Sequence, residues 1–587
     1  MNASIPEVRQ EIKSKDVGAM SDTTPQTTVV QAQPPTVGAP GNDNATPAKA
    51  VRTGRTKPRL NMAAPIHALV KDSEAVLSAL GFYYQRSGEI VYPFVLQQDI
   101  FEGAGVSRKR FSIIIKTESE FSILRRLASH AHCFKRDAKG VEYWSDPPIK
   151  LAQHLHDHAA QSPEECPYPR LSLVSSTPVL MPDGSVLEKG YSNEVFVRPL
   201  KKYPAIPDTP TKDDAIAALK KFEELYQLFP FKAEEGQAWN RTPSYAAVLA
   251  ASLSLVARPA LPTVPLFGIT SPTPGTGKSL IAQTISTSML GHKTTGIPFK
   301  DEEEFDKLLV PVLRAADRIV SIENVSRPLQ SDHLTHAISD GIYKTRILGK
   351  SEEITLANRA VWFATGNNLM LDSDLGTRRS MLIQLDSGLE HPEERTFSFH
   401  PVAQGLKRHS ELVVAALTAL RAYILAGKPK QTERGALGSF EGWDRLIVGC
   451  LVWCGYADPT LTRKDIEVNN PTVDEYLAIL EAWFSRFNSL WTTLNDIDKE
   501  RDSEIFKLLA PTGFLRTRSA GKKLSQMVDR PIAGLKLVRF GKNARTKYRV
   551  ESSRPGGETE RAKAEEKQKA SAEIDALFGD EPKVMVQ

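Results

Sequence analysis

The chain has few cysteines and no long apolar run, and each absence argues against a class of protein. Four cysteines in 587 residues do not make the disulfide framework of a small secreted domain. No run of about 20 apolar residues would cross a bilayer, and the first residues contain no apolar signal core. We therefore expect a soluble cytoplasmic protein with no membrane partner.

Clusters of metal-ligand residues are also scarce. Cys450 and Cys454 lie four residues apart in an apolar helical run, but no second Cys or His pair has a suitable spacing, so we predict buried thiols. His154, His156 and His158 alternate within a predicted helix, where they do not share one face. The pattern favours solvated histidines over a metal site.

Changes in composition along the chain predict several folded units, since 587 residues exceed what one hydrophobic core usually serves. The first 60 residues are rich in Thr, Pro, Ala, Gln and Gly, a composition that buries too little apolar surface to fold. The predicted units are 1–60, a disordered segment; 61–210, a mixed α+β accessory domain; 211–401, an α/β core; 402–474, a helical region; 475–551, a helix followed by a hairpin; and 552–587, a charged tail.

The most specific motif is Ser271-Pro-Thr-Pro-Gly-Thr-Gly-Lys-Ser279. A phosphate-binding loop needs converging backbone N–H groups, a lysine for the β and γ phosphates, and a hydroxyl for Mg²⁺. A predicted strand precedes the motif and a predicted helix follows it. Pro272 replaces the first glycine of the general pattern but leaves the residues nearest the phosphate intact. The residues predicted to bind ATP and Mg²⁺ are Pro274, Gly275, Thr276, Gly277, Lys278, Ser279 and Leu280.

A second apolar run ends in Glu323-Asn324, 45 residues after Lys278. Phosphate-loop ATPases hold Mg²⁺ and its waters with a carboxylate on a neighbouring strand, so Glu323 and Ser279 are the predicted metal ligands. Asn324 stands where a carboxylate commonly polarises the attacking water. An amide positions a water without accepting its proton, so hydrolysis is either slow or uses another carboxylate, with the acidic residues 302–304 as candidates.

Two further features complete the predicted site. A strand over 360–365 leads to Asn367, whose amide would reach the γ-phosphate or the attacking water; an ordinary turn is the alternative. Arg378 and Arg379 follow before another predicted strand. Either arginine suits a finger that reaches the ATP of an adjacent subunit, and a salt-bridging pair is the alternative.

These four motifs resemble those of AAA+ ring helicases of the superfamily 3 and minichromosome-maintenance type. The likeness is greatest to replication ATPases of prophages and other mobile elements, and it extends over roughly residues 60–550. The residues that carry it are 272–278, 323–324, 365–369 and 378–379, with weaker support from 182–187, 438–445 and 451–459. Glu323 departs from the aspartate of that family, which leaves the geometry around the metal open.

The resemblance implies an α/β fold: a P-loop AAA+ core over 211–401, a helical lid over 402–474, a mixed α+β N-terminal domain and a C-terminal winged helix. It also implies a homo-hexamer and a lid arginine that reaches the nucleotide. Arg445 is the nearest match for that arginine, and surface packing beside Trp443 is the alternative. In the resembled helicases a hairpin between the second and third motifs presents a lysine to DNA in the central channel. Lys350 fits that position, and an ordinary surface hairpin is the alternative.

The clearest charge asymmetry lies near the C-terminus. Residues 512–550 contain eleven basic residues and one acidic residue, Asp529, a local net charge of +10. A predicted helix over 519–528 and a predicted hairpin over 535–550 follow the order of a winged helix, which suits DNA. The predicted DNA-binding residues are Lys350, Lys522, Lys523, Arg539, Lys542, Arg545 and Lys547. A protein-docking surface is the alternative.

We therefore expect an ATP-dependent helicase or translocase on single- or double-stranded DNA, acting in replication of a mobile genetic element. The tail, through residues 574–581, is a candidate docking peptide for a host replication protein. The main alternative is an ATP-switched DNA-binding initiator or regulator whose hydrolysis is disabled by Asn324. A third, an ATPase that remodels proteins, fits the basic C-terminal region less well.

Overall fold

The computed structural model describes residues 57–102, 105–346, 353–371, 373–431, 437–464, 471–525, 527–541 and 546–554. Residues 1–56 and 555–587 lie outside these ranges, as do three predicted DNA contacts, Lys350, Lys542 and Arg545. The predictions for those residues stay predictions. Within the described ranges no helix is long and apolar enough to cross a membrane.

The described residues before position 200 form short strands and three helices. The strands are β1 (Arg59–Asn61), β2 (Tyr84–Arg86), β3 (Glu89–Val95), β4 (Ile100–Glu102), β5 (Val106–Arg108), β6 (Ile113–Thr117), β7 (His132–Arg136), β8 (Glu142–Trp144), β9 (Leu173–Ser175), β10 (Val179–Leu180), β11 (Val186–Leu187), β12 (Gly190–Ser192) and β13 (Val195–Val197). The helices are α1 (Ile66–Ser78), α2 (Glu120–His130) and α3 (Ile149–Gln161). The sequence Asp183-Gly184 between two apolar runs predicts a hairpin over 179–187, and the antiparallel pairing of β10 with β11 confirms it.

The middle of the chain alternates helices and strands. Its helices are α4 (Lys212–Tyr226), α5 (Pro243–Ala257), α6 (Lys278–Leu290), α7 (Glu302–Ala315), α8 (Asp332–Asp340), α9 (Ser373–Arg379), α10 (Pro401–Leu425), α11 (Glu441–Trp443) and α12 (Gly449–Trp453). Its strands are β14 (Leu266–Ser271), β15 (Thr295–Pro298), β16 (Ile319–Glu323), β17 (Ile342–Arg346), β18 (Glu353–Ala357), β19 (Val361–Asn367) and β20 (Ser380–Gln384). Single 3₁₀ turns lie at Trp239–Arg241, Arg258–Ala260, Pro392–Glu394 and Pro459–Thr462, and a π turn at Asp444–Val448.

The C-terminal part has helices followed by a small antiparallel sheet. Its elements are α13 (Pro471–Phe487), α14 (Leu494–Asp498), α15 (Glu504–Leu509), α16 (Thr517–Ser525), β21 (Pro531–Ile532), β22 (Leu535–Phe540) and β23 (Lys547–Ser552). A hydrophobic cluster of its own, built around the buried Trp483, joins α13, α15 and α16 to the sheet. The predicted helix and hairpin are therefore present, with the helix beginning two residues earlier than predicted.

A mixed seven-stranded sheet forms the centre of the fold. Five parallel strands lie in the order β20-β14-β19-β16-β15. Strands β14, β16 and β19 are nearly continuous apolar runs, as strands covered on both faces must be. The first of the five in chain order, β14, lies between the last two, β19 and β20. Ligands of open α/β sheets bind beyond the carboxyl ends of the strands at such a reversal of strand order.

The two remaining strands of this sheet come from the N-terminal part of the chain. Strand β5 pairs antiparallel with β15, where Ser107 lies opposite Gly296, and β4 pairs with β5. Immediately beside that pairing, Arg108 forms an ion pair with Asp317 at 2.8 Å, and the two side chains are only 1% and 2% exposed. The accessory region is thus joined to the central sheet by backbone pairing and a buried ion pair.

We expect Arg108→Ala to destabilise the chain by about 3–5 kcal/mol, because it leaves the buried Asp317 carboxylate without its charge partner. The denaturation midpoint of the full chain measures the loss. Arg170→Ala is the matched control, since its pair with Glu164 is exposed and is expected to contribute less than about 1 kcal/mol. An equal loss in the two variants would contradict a structural role for the buried pair.

The helical region after residue 401 shares the hydrophobic core of the sheet. Helix α10 packs on α4 and α6, and its buried face belongs to the same cluster as β14 and β19. The contact with α6 is close: a Cβ atom at Gly405 would lie 3.0 Å from Oγ1 of Thr287. Cys450 and Cys454 are buried free thiols in this core, as predicted. The boundary of a lid at residue 402 stays a prediction.

Strands β17 and β18 form the hairpin predicted between the second and third motifs, with Arg346 opposite Glu353. The sequence predicts its two strands over 346–348 and 353–356, and the start of the first is wrong because β17 begins four residues before Arg346; residues 347 and 348 lie outside the described ranges. The alternation begins earlier, at Ile342, and directs Tyr343 into the core. The turn that contains Lys350 lies outside the described residues.

Candidate functional site

The predicted phosphate loop connects the end of β14 to the start of α6. Gly275 and Gly277 have φ angles of 77° and 98°, a region that glycine adopts without steric cost. Gly277 is the N-cap of α6, and its carbonyl accepts the N–H of Ile281. The N–H groups of the first helical turn have no partner within the helix, so the loop and the helix N-terminus present donors to an anion.

The ammonium group of Lys278 lies within this loop. Its Nζ donates to Oγ of Ser271 at 2.9 Å, to the carbonyl of Thr273 at 3.0 Å and to Oγ1 of Thr276 at 3.2 Å. Partial burial lowers the pKa of Lys278 from its usual value. Ser279 and Pro274 are exposed, Leu280 packs against the core and Thr276 is buried. The seven predicted loop residues are therefore brought together.

Two residues that the sequence did not mark touch the glycines of the loop. A Cβ atom at Gly275 would lie 2.8 Å from Oε2 of Glu393, and one at Gly277 would lie 3.3 Å from the ring of Phe229. The positive φ angles favour glycine at both positions, and these close neighbours leave little room for a side chain. No motif could have revealed Glu393 or Phe229, because each belongs to a segment distant in sequence.

The ends of neighbouring strands bring two more predicted residues to the same edge. Asn367, the last residue of β19, lies opposite Ser271, which accepts a hydrogen bond from Lys278. Asn367 is exposed. Ile322 lies opposite Ala364, so Glu323 ends its strand within two residues of the level of Asn367. Glu323, Asn367 and the loop therefore all lie at the carboxyl edge of the parallel strands.

Glu323 faces a cavity of about 570 Å³ at that edge. Its carboxylate approaches β15, where a Cβ atom at Gly296 would lie 3.2 Å from Oε1 of Glu323. Burial raises the pKa of Glu323, and the positive charge of Lys109 opposes that rise. Asn324 also lines the cavity and has a left-handed φ of 55°, which Asn adopts more readily than most residues.

Lys109 in this cavity comes from the N-terminal part of the chain. It follows β5, whose pairing with β15 places it there, and its Nζ lies 3.2 Å from Oδ2 of Asp99. Lys293 also lines the cavity. Neither lysine belongs to a recognisable motif in the sequence. The pairing of a three-residue strand with one almost 190 positions later has no local signal.

The acidic residues 302–304, which were candidates to replace the carboxylate missing at Asn324, have other partners. Oε1 of Glu302 accepts the N–H of Asp332 at 3.0 Å, at the start of α8. Glu303 and Glu304 form ion pairs with Lys307 at 3.3 and 2.7 Å. Among the described residues that line the cavity, Glu323 is the only carboxylate.

Arg378 and Arg379 end helix α9 and have different surroundings. Nε of Arg379 donates to Oγ of Ser339 at 2.5 Å, and the side chain is half-buried against α8. Arg378 is exposed, and within the described residues it forms no hydrogen bond or ion pair. The structure therefore separates two residues that the sequence left equivalent. Arg445 is exposed in the π turn after α11.

The predicted DNA contacts that the structure describes lie in the C-terminal part. Lys522 is exposed on α16, while Lys523 pairs with Glu475 of α13. Arg539 and Lys547 are exposed on the hairpin, and neither forms an ion pair with a described residue. Lys523 is thus already paired with a carboxylate of the same chain, and the other three cations face solvent.

The loop fits a nucleoside triphosphate with Mg²⁺. Its two left-handed glycines and the free N–H groups of α6 form an anion cradle, and Lys278 adds a positive charge. No group of three or more His, Cys, Asp or Glu side chains suited to a metal occurs in the described ranges. A Mg²⁺ ion does not require one, because it commonly binds through one or two carboxylates, waters and phosphate oxygens.

Comparisons with known proteins give only distant similarity. No protein-family model and no curated protein matches this chain. An apo structure of the NrS-1 C-terminal region is 11% identical, with a TM-score of 0.32 over 81% of this chain and 98% of that one. A structure of SCCmec type IV Cch, described as an active helicase, is 12% identical, with a TM-score of 0.32 over 80% and 97%. Similarity this low carries no inference about activity, which must come from the site itself.

Proposed function

We propose that this chain is an ATP-dependent DNA helicase or translocase of the P-loop AAA+ type. The observation that supports this best is the placement of Lys278 in a glycine loop beside Asn367 at the carboxyl edge of the sheet. Glu323 ends a neighbouring strand at the same edge. A cationic loop, an amide and a carboxylate at adjacent strand ends are the groups that phosphoryl transfer requires.

Each group has a role that follows from its chemistry. Bound ATP with Mg²⁺ would supply the transferable phosphoryl group and its charge neutralisation. The N–H groups of the loop and the ammonium of Lys278 bind and orient phosphate oxygens, while Ser279 and Glu323 hold the metal. Asn367 positions a water or a γ-phosphate oxygen through its amide, and we assign to the exposed Arg378 the role of an arginine finger toward a neighbouring subunit of a homo-hexamer.

The DNA part of the proposal rests on charge. The C-terminal helices and hairpin carry exposed cations on α16 and on both strands of the hairpin, in a stretch with a net charge of +10. Such a surface binds phosphates independently of sequence, as a translocating enzyme needs. We assign residues 475–551 as a winged-helix DNA-binding domain. We further propose that the protein acts in replication of a mobile genetic element and that its C-terminal tail binds a host replication protein.

The direct test is steady-state ATP hydrolysis with and without single-stranded DNA. We expect DNA to raise the turnover of the wild type, because a motor couples hydrolysis to movement along its track. Lys350→Ala should abolish that stimulation while basal turnover persists, and Lys344→Ala, on the adjacent strand β17, is the matched control. Strand separation of a forked duplex follows as the second readout. A rate of ATP hydrolysis that does not change when DNA is added would contradict the proposed motor activity.

A second function is favoured by one specific observation. Asn324 cannot accept a proton, and the nearby acidic residues 302–304 are bound to α8 and to Lys307 rather than lining the cavity. The alternative is therefore an ATP-switched initiator or regulator that assembles on DNA without turnover. Wild-type protein that binds ATP and DNA but hydrolyses no ATP would support this alternative over the motor.

A further inference from the structure

We propose that the outer face of the C-terminal β-hairpin is a stacking platform for unpaired bases of single-stranded DNA. The platform consists of Trp491 and Phe540, flanked by Arg549 and Lys547. The inference rests on the proposed function only in that DNA is the substrate. It adds a binding mode, base stacking, that charge alone does not provide.

The register of the hairpin defines which residues share this face. Phe540 lies opposite Lys547, and Val538 lies opposite Arg549. Directly opposed residues of an antiparallel pair point to the same side of the sheet. Tyr548 and Val550 alternate with these residues and are buried, at 4% and 0% exposure, so they face the core. The other side, with Phe540, Lys547 and Arg549, is therefore the outer face.

Trp491 completes an aromatic surface on that face. Its ring centroid lies 5.8 Å from that of Phe540, and the guanidinium carbon of Arg549 lies 4.7 Å from the centre of the Trp491 ring. Phe540 is 68% exposed, an unusual position for a phenylalanine at the end of a strand. The Arg549 side chain is only 14% exposed and covers one face of Trp491, so the exposed ring of Phe540 beside them is the π surface at which a base can stack.

The charges around the platform favour single-stranded DNA as its partner. At the far end of the face Lys536 and Arg549 are both paired with Glu551, at 3.5 and 2.6 Å. At the end that carries Phe540, Lys547 is exposed and forms no ion pair within the described part of the chain. An unpaired cation next to an exposed aromatic ring complements a phosphate backbone whose bases are free to stack. A duplex keeps its bases stacked internally and offers no such face.

The test uses the full chain without nucleotide and measures fluorescence anisotropy of a labelled 30-nucleotide oligo-dT and of a labelled 30-base-pair duplex. Stacking contributes about 1–3 kcal/mol per base, so Phe540→Ala should raise the Kd for the single strand by about 5- to 150-fold. The Kd for the duplex should change by less than about twofold, because the phosphate contacts remain. Phe540→Trp should restore single-strand binding.

The control is Phe514→Ala, since Phe514 is 67% exposed in the same part of the chain but precedes α16 and lies off the hairpin. It should leave both Kd values unchanged, and a thermal melt should show that both variants fold. An unchanged Kd in Phe540→Ala, or equal losses on both DNA forms, would overturn the platform while leaving DNA-stimulated ATP hydrolysis intact. If the wild type binds neither DNA, the platform and the DNA part of the proposed function both fall.

Discussion

Lys278→Ala is expected to reduce ATP hydrolysis at least about 10³-fold, the largest loss for a single side chain in the site. The ammonium group already lies inside the loop, within hydrogen-bonding distance of Ser271, Thr273 and Thr276. We expect it to exchange loop oxygens for phosphate oxygens in the proposed complex with ATP, where its charge would offset the negative charge of the transferring phosphoryl group. Single-turnover hydrolysis at saturating ATP measures the loss.

The matched control for this prediction is Lys220→Ala, which removes an exposed lysine from α4. It should leave turnover unchanged. Among the described residues the ammonium group of Lys278 forms hydrogen bonds only with the loop, so its loss should not change the midpoint of thermal unfolding by more than a few degrees. A Lys278→Ala protein that retains a tenth or more of wild-type turnover would show that phosphate is bound elsewhere.

Much of this site could be predicted because its parts are local patterns. The glycines and lysine of the loop, the apolar strand before Glu323 and the strand that ends at Asn367 are each contained within a few consecutive residues. Parallel strands place their carboxyl ends at one edge, so sequence motifs at those ends come together once the sheet forms. The C-terminal hairpin could be predicted for the same reason as the loop, because each of its two strands is also a local pattern of a few consecutive residues.

The parts that could not be predicted depend on contacts between distant segments. Lys109 enters the cavity because β5 joins the edge of the sheet at β15, a pairing of short strands without a motif. Glu393 lies against Gly275 through the connection after β20. Phe540 is indistinguishable from a core residue in the sequence, and only its register in the hairpin assigns it to the outer face.

The pairing of β5 with β15 has a functional consequence beyond stability. It places a cation, Lys109, in the cavity of Glu323, and it ties that cation to the buried pair between Arg108 and Asp317. Any movement of the N-terminal region relative to the sheet would therefore alter the charge around the proposed metal ligand. Two strands of the N-terminal part, β4 and β5, thus belong to the same sheet as the strands that end at Glu323 and Asn367.

Arg378→Ala is expected to lower DNA-stimulated turnover by about 10³-fold, as loss of an arginine finger does. Arg378 is exposed and forms no hydrogen bond or ion pair in the described part of the chain, so its side chain is available to a neighbouring subunit. Arg379, by contrast, is hydrogen-bonded to Ser339. A residue already bound within its own subunit would have to break that contact to reach a neighbour. Arg379→Ala should therefore act mainly on thermal stability, with a smaller effect on turnover.

Mixing subunits separates a finger that acts across an interface from one that acts within its own chain. Lys278→Ala subunits have an intact Arg378 but no loop lysine, and Arg378→Ala subunits have the reverse. At an interface that joins the two, one composite site carries both residues, so a mixture of two inactive proteins should regain measurable turnover. Size-exclusion chromatography with light scattering would establish that the mixture assembles. Recovery would place Arg378 at the site of the adjacent subunit, and assembly without recovery would contradict that role.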